Sequence, residues 1–366
     1  MPVGICLASC PQSVKFSPFH KNIVGISCKS RPGYSPVSGM FYLLHVKPDD
    51  SDLDILLQGQ INCGLGSFDW SHSNGNVFVA ACDDAKLRFF DVQNEELLIS
   101  QIDLKDRKYE HKEKFESTRI DLVEWDKVST DHLLVSVMQT DLVVVNVMKH
   151  DEKVGRVIQN PHGTHSPITD ASWNTHAPHQ FQFCDLRGNV LGVDLRSFAA
   201  SPSSTSSSSS SSSSRTTFDF RIAINTGAIR IARNPFLEYV VAVAGFDHGV
   251  RVFDLRMSGR GPFALYEQAH FGTVSSLKWS PHDESLLASG SHDRTLRLWD
   301  IRAGLQNRSV MTSSLPNRAY GIEPSLGKPQ KVEDWVTGVD WSLHEPGMVG
   351  FVSHDHLFKA YHIDED

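Results

Sequence analysis

The chain has 366 residues, 40% of them hydrophobic and 21% charged, with a formal net charge of −8. That is enough apolar material for a large core, yet no run of about 18 apolar residues reads as a membrane span, and Met1-Pro2-Val3-Gly4-Ile5-Cys6 lacks the basic and apolar stretches of a secretory signal. The negative balance argues against attachment to nucleic-acid phosphate and favours a ligand carrying Arg, Lys or His.

In chain order, the first apolar segment runs Ser13-Val14-Lys15-Phe16-Ser17-Pro18-Phe19-His20-Lys21-Asn22-Ile23-Val24-Gly25-Ile26, followed by a loop at Pro32-Gly33-Tyr34 and a strand at Met40-Phe41-Tyr42-Leu43-Leu44. A second unit centres on Cys63-Gly64-Leu65-Gly66-Ser67-Phe68-Asp69-Trp70-Ser71, and further ones on Trp125-Asp126, Trp173-Asn174 and Arg233-Asn234-Pro235. The sixth is the clearest. It comprises Ala269 to Pro281, then Leu286-Leu287-Ala288-Ser289-Gly290-Ser291-His292-Asp293, then Thr295-Leu296-Arg297-Leu298-Trp299-Asp300. The seventh carries Glu333-Asp334-Trp335-Val336-Thr337-Gly338-Val339-Asp340-Trp341-Ser342. These runs are short, rich in β-branched residues and interrupted by Gly, Asn or Asp, which predicts strands with a period of two rather than helices.

Aligning residues 16, 70, 125, 173, 233, 279 and 341 gives seven units spaced 46 to 62 residues apart. An acidic turn residue follows in step at Asp84, Asp141, Asp185, Asp247, Asp293 and Asp355. A radial stack of four-stranded blades fits this period, with the residues around Ile5–Leu7 lending the last blade its outer strand. The predicted fold is all-β, a single seven-bladed propeller over residues 1–366. The Ser-rich tract 201–214, without apolar residues, is expected to be a disordered insertion between blades 4 and 5.

The repeats resemble those of the WD-repeat (WD40) family, and the resemblance implies a buried structural tetrad of His270, Ser289, Asp293 and Trp299. The first, second and last units further resemble the peroxin-7 family of receptors for the type 2 peroxisomal targeting signal. That likeness rests on the Phe16-Ser17-Pro18-Phe19 opening, the Cys63–Ser71 run and the acid-aromatic-x-x-Gly segment from Asp334 to Asp340. It implies a cytoplasmic receptor that binds the N-terminal signal helix of cargo proteins, works with a co-receptor and a docking complex, and cycles to the peroxisome matrix. A helix bearing a basic residue needs an apolar floor with acids at its margin. Two sets of positions should supply these on the face of the Asp turns: those a few residues before each aligned marker, and those just before each turn acid. They give Asp83, Glu333 and Asp334 as acids, Phe246, Phe271 and Trp335 as apolar contacts, and His165, His292 and His354 as polar ones. Glu116 stands in for the acid this family carries near the third marker, where the chain has Arg119.

Other readings follow from other motifs. Val193-Asp194-Leu195-Arg196, Phe253-Asp254-Leu255-Arg256 and Trp299-Asp300-Ile301-Arg302 match strand endings seen in substrate receptors of cullin-type ubiquitin ligases, and equally in general scaffolds. No phosphate loop, nucleophile elbow or His-Glu-x-x-His helix is present, so no catalytic residue, metal or cofactor is predicted. The pairs His162/His165 and His176/His179 read as solvated loop residues, and the six cysteines as reduced core thiols.

Overall fold

In the computed structural model, residues 3–30, 38–47, 53–93, 98–104, 120–137, 141–148, 155–160, 166–200, 218–224, 226–302, 319–321 and 332–363 are described. They form seven four-stranded antiparallel sheets. The innermost strands are Cys10–Phe16, Leu65–Trp70, Ile120–Trp125, Ile168–Trp173, Ala228–Arg233, Val274–Trp279 and Val336–Trp341. Each aligned marker of the sequence is therefore the last residue of an innermost strand. The ring closes as expected: Val3–Cys6 pairs with Leu357–His362, Val3 opposite Ala360 and Cys6 opposite Leu357, as the outer strand of blade 7.

The predicted alternation holds poorly in the middle strands. Val240–Gly245 and Met348–Ser353 are buried at every position, because each blade is covered on both faces by its neighbours. Seven apolar clusters result among the described residues, one between each pair of adjacent blades. Between blades 1 and 2, for instance, Phe41 stacks on Phe78 with ring centroids 4.0 Å apart, and Phe68 meets both edge-on.

Polar groups of the innermost strands bind the blades to one another. Asp340 Oδ2 accepts from the Phe16 amide at 2.8 Å, Asp69 Oδ2 from Trp125 at 2.8 Å, Glu124 Oε2 from Trp173 at 3.1 Å and Asp170 Oδ2 from Ile231 at 3.0 Å. The marker indoles run the other way. Nε1 of Trp70, Trp173, Trp279 and Trp341 donates to the carbonyls of Lys15, Glu124, Ala232 and Lys278 in the preceding blade. Trp125 instead donates to Thr130 in its own blade. Of these acids, Glu124 and Asp170 line an axial cavity of ≈ 380 Å3 together with Lys15, Arg230 and Lys278. Burial pushes the Glu124 and Asp340 carboxyls up; at Asp69 burial also acts, but Lys15 at 2.7 Å together with the His72 and Lys127 charges outweighs it and holds the carboxyl below the usual range.

The Ser-rich tract lies outside the described residues, but its flanks do not. Strands Asn189–Asp194 and Phe218–Ala223 are the third and fourth of blade 4, so the segment belongs within that blade and not between blades 4 and 5.

Candidate functional site

The turn joining the second and third strands of a blade lies against the residue that leads into its innermost strand. One backbone hydrogen bond fixes this in blades 2, 4, 5, 6 and 7: Asp83 to Gly64, Leu186 to Pro167, Phe246 to Gly227, His292 to Thr273 and His354 to Trp335. The two sets of positions chosen from the sequence thus share one face of the ring. Every one of these turns also places a residue in the left-handed region, at Ala85, Gly188, His248, Arg294 and His356.

That geometry supplies the true register. Asp84, Asp247, Asp293 and Asp355 fall one residue before the left-handed position, but in blade 4 Arg187 stands there. Asp185 lies two residues earlier, at the buried end of its strand, where it accepts from the Asn189 and Arg187 amides. Asp141 is likewise not a turn residue but opens a strand, opposite Val137. The corrected register adds Leu186, 38% exposed, as the blade 4 counterpart of Asp83, Phe246, His292 and His354. Gly188 was the signal in the sequence: a glycine suits the left-handed position, and it fixes which residue precedes the turn.

Blades 6 and 7 gather most of the chosen side chains. Trp335 stacks on His292, with ring centroids 4.6 Å apart and planes 18° from parallel, and lies 5.8 Å from the His354 ring. His354 Nδ1 is 3.1 Å from Asp334 Oδ2, and the Glu333 amide donates to Asp355 at 2.8 Å. Burial, with Arg230 close by, draws His292 below the ordinary imidazole value, so it is neutral against the indole at pH 7. Burial opposes ionisation of Asp334, but the Trp335 amide and His354 outweigh it and favour the carboxylate. Phe271 projects from blade 6 with 82% of its surface exposed, under the guanidinium of Arg297 at 5.8 Å. Phe246, half-exposed, packs over Gly227 in blade 5.

The other candidates are placed differently. Asp83 in blade 2 is already held by Lys29 at 2.9 Å, a partner from blade 1 that lies 54 residues away in sequence. Glu116, Arg119 and His165 lie outside the described residues. The exposed Glu333 side chain has no ion pair among the described residues, so the acidic margin of this face is concentrated on blade 7.

Beneath Phe271, His270 Nδ1 is 2.9 Å from Asp293 and its Nε2 2.7 Å from Ser289 Oγ, which also accepts from Trp299 Nε1 at 2.8 Å. The Phe271 amide bonds to the same Asp293 carboxylate, so the four-residue network fixes the backbone that presents the aromatic ring. Burial pushes the Asp293 carboxyl up, but hydrogen bonds from His270 and Thr295 prevail and hold it far below its usual range.

Among the described residues, two groups bring His, Cys or Asp side-chain atoms within 4.8 Å of one another: Cys63, Cys82 and Asp84, and Asp126, His132 and His179. Asp126 already accepts from the Val128 and Ser129 amides, and His132 Nδ1 lies 2.6 Å from the Asp131 carboxylate. His176 meets the Asn234 carbonyl at 3.1 Å. The arginines of the Asp-x-Arg endings are also engaged: Arg196 with Asp194, Arg256 with Asp254, and Arg302 with Asp283.

Comparison with known proteins agrees with the ring and its repeats. The family described as WD domain, G-beta repeat (WD40) matches residues 264–300, spanning the outer strand of blade 5 and three strands of blade 6. The chain is thus a seven-bladed propeller in which one repeat matches the WD40 family. It is similar to the peroxisomal targeting signal 2 receptor of Saccharomyces cerevisiae, 23% identical over 372 residues that cover 93% of this chain and 94% of the relative. It is also similar to a ribosome biogenesis protein WDR12 homolog of Trichoplax adhaerens, 32% identical over 39% of this chain and 31% of that protein. Subunit 2 of a type B histone acetyltransferase from Debaryomyces hansenii is 34% identical over 37% of this chain and 33% of its own.

Proposed function

We propose that this chain is a receptor for the N-terminal type 2 peroxisomal targeting signal, binding the signal helix on the face built by the second-to-third-strand turns. The observation that carries the reading is the extent of the likeness. The targeting signal receptor aligns with the chain almost end to end, whereas the ribosome biogenesis and histone acetyltransferase relatives align over little more than a third of it. A match confined to part of a ring reports the repeat; a match around the whole ring includes the loops that distinguish one propeller from another.

The face has the chemistry such a helix needs. Trp335, Phe271, Phe246 and Leu186 form an apolar arc over blades 4 to 7, and Glu333 and Asp334 stand at its end to take a basic side chain. The ligand's apolar side lies along the arc, its arginine against blade 7. Cargo is captured in the cytoplasm and carried, with a co-receptor and docking complex, to the peroxisome matrix without covalent change to the cargo.

The test is capture of the purified protein by an immobilised type 2 signal helix and by the same helix with its Arg changed to Asp, each with and without cytosol. Capture by the Arg form alone supports the reading. Equal capture by both forms, or by neither, refutes it.

A further inference from the structure

Cys63 precedes the innermost strand of blade 2, and Cys82 ends the second strand of the same blade. Both are buried and unbridged, and their sulfur atoms lie within 4.8 Å of each other and of an Asp84 oxygen. Arg88 Nη1 is 3.1 Å from Cys63 Sγ. The guanidinium is held there by two hydrogen bonds to Asp84, at 2.8 and 2.6 Å.

The Asp–Arg clamp recurs in blade 5, where Arg251 bonds to Asp247, and the same spacing sets Arg297 3.9 Å from Asp293 in blade 6. The residues that take the places of Cys63 and Cys82 by turn register are Thr226 and Gly245 in blade 5, and Gly272 and Ser291 in blade 6. The clamp and the turn therefore form without sulfur. Blade 2 alone among these three sets two thiols beside the cation, and the propeller fold does not require them.

We propose that Cys63 and Cys82 are a peroxide-reactive thiol pair, with Cys63 the attacking sulfur and Cys82 the resolving one. A guanidinium beside a thiol favours the thiolate, the form that reacts with peroxides. The hydrogen bond from Cys82, supported by Arg88, outweighs burial and draws Cys63 below the ordinary thiol value, while Cys82 is raised and keeps its proton. The Cys63 thiolate attacks one oxygen of hydrogen peroxide and breaks the O–O bond, giving a sulfenic acid and hydroxide. The Cys82 thiol then displaces the sulfenic hydroxyl as water once its own proton is lost, forming the disulfide. In sum, two thiols and one peroxide become a disulfide and two waters. The new bond would tie together the residues directly before Gly64 and Asp83, whose hydrogen bond shapes the blade 2 corner of the candidate face.

The native protein contains its own reference, because Cys6 is the exposed thiol among the six. The folded protein is treated with graded hydrogen peroxide, quenched, denatured, alkylated and digested, and each cysteine is followed by mass spectrometry. The expected result is a dithiothreitol-reversible Cys63–Cys82 linked peptide that appears at least about tenfold faster than oxidation of Cys6. Arg88→Gln, verified as folded by circular dichroism, should slow its appearance. Recovery of Cys63 and Cys82 as free thiols after Cys6 has been oxidised would overturn the proposal, as would irreversible oxidation of Cys63 without linkage to Cys82. Both readouts concern cysteine chemistry alone and are separate from the peptide test above.

Discussion

Replacing Trp335 by Ala is the most direct test of the aromatic arc. A tryptophan offers up to about 250 Å2 to a contact. With 47% of the residue exposed, roughly 120 Å2 is left for a ligand to cover, about 3 kcal/mol at ~25 cal/mol per Å2. Ordering a peptide costs part of that. The net expectation is about 2 kcal/mol, a roughly 30-fold rise in Kd for the signal helix. The fold should tolerate the change: the main internal loss is the stack on His292, about 0.5–1.5 kcal/mol, in a protein whose seven inter-blade cores are untouched. Fluorescence anisotropy of a labelled signal peptide gives Kd, and thermal unfolding of the same samples gives Tm. A Kd within twofold of the parent, with Tm lowered by no more than a few degrees, would refute the assignment of this face. A large loss of both would instead show that Trp335 supports the fold, and His292→Ala would then separate packing from contact.

Charge offers a second test. Neutralising Glu333 and Asp334 together (Glu333→Gln, Asp334→Asn) should weaken peptide binding by about 0.2–1 kcal/mol per exposed contact and flatten its salt dependence, whereas Asp83→Asn should do less because Lys29 already holds that carboxylate; titrations at two ionic strengths measure both. Gly188→Ala should destabilise strongly, since a Cβ there would lie 2.1 Å from the Thr226 carbonyl at a φ of +81°, while Gly25→Ala, 2.9 Å from the Phe68 ring, should cost about 1–3 kcal/mol by overpacking; urea unfolding should rank them in that order. Stability should also fall on acidification. Burial lowers His72 to about 4, so the unfolded chain takes up a proton near the ordinary imidazole pKa of about 6.5 and the folded one only near 4. The stability held above pH 6.5 is therefore lost progressively between about 6.5 and 4, and His72→Gln should flatten that limb of a plot of urea midpoint against pH. Changing Arg256 and Arg302 to Ala should leave peptide capture unaltered, because they pair with Asp254 at the end of a third strand and with Asp283 in the turn between the first and second strands of blade 6, not on the candidate face; lost capture would relocate the site.

Some of the candidate face could be read without coordinates and some could not. Asp83, Phe246, His292 and His354 stand at equivalent positions because each turn repeats a local pattern, an acid one residue later and a left-handed residue after that. Leu186 escaped because blade 4 breaks the pattern with Arg187, and the acid at 185 gave a false register. The pairing of Asp83 with Lys29 was invisible for another reason: it joins adjacent blades, and nothing in either segment encodes the distance between them. The middle strands were misjudged in pattern though not in kind, since burial on both faces removes alternation.

The sequence by itself determined the number of blades, the strand that ends at each marker and the closure of the ring through Val3–Cys6, because period, turn residues and β-branched content are local properties that survive divergence. Only the tertiary structure decided which carboxylates remain available. Asp69, Glu124, Asp170 and Asp340 look like surface acids on short strands, yet they are spent on amides of the next blade, and Asp334 faces His354 across a turn. Asp69, Glu124 and Asp170 meet partners about one blade further along the chain and Asp340 meets one near the opposite end of it, an approach that follows from the curvature of the whole ring rather than from any segment.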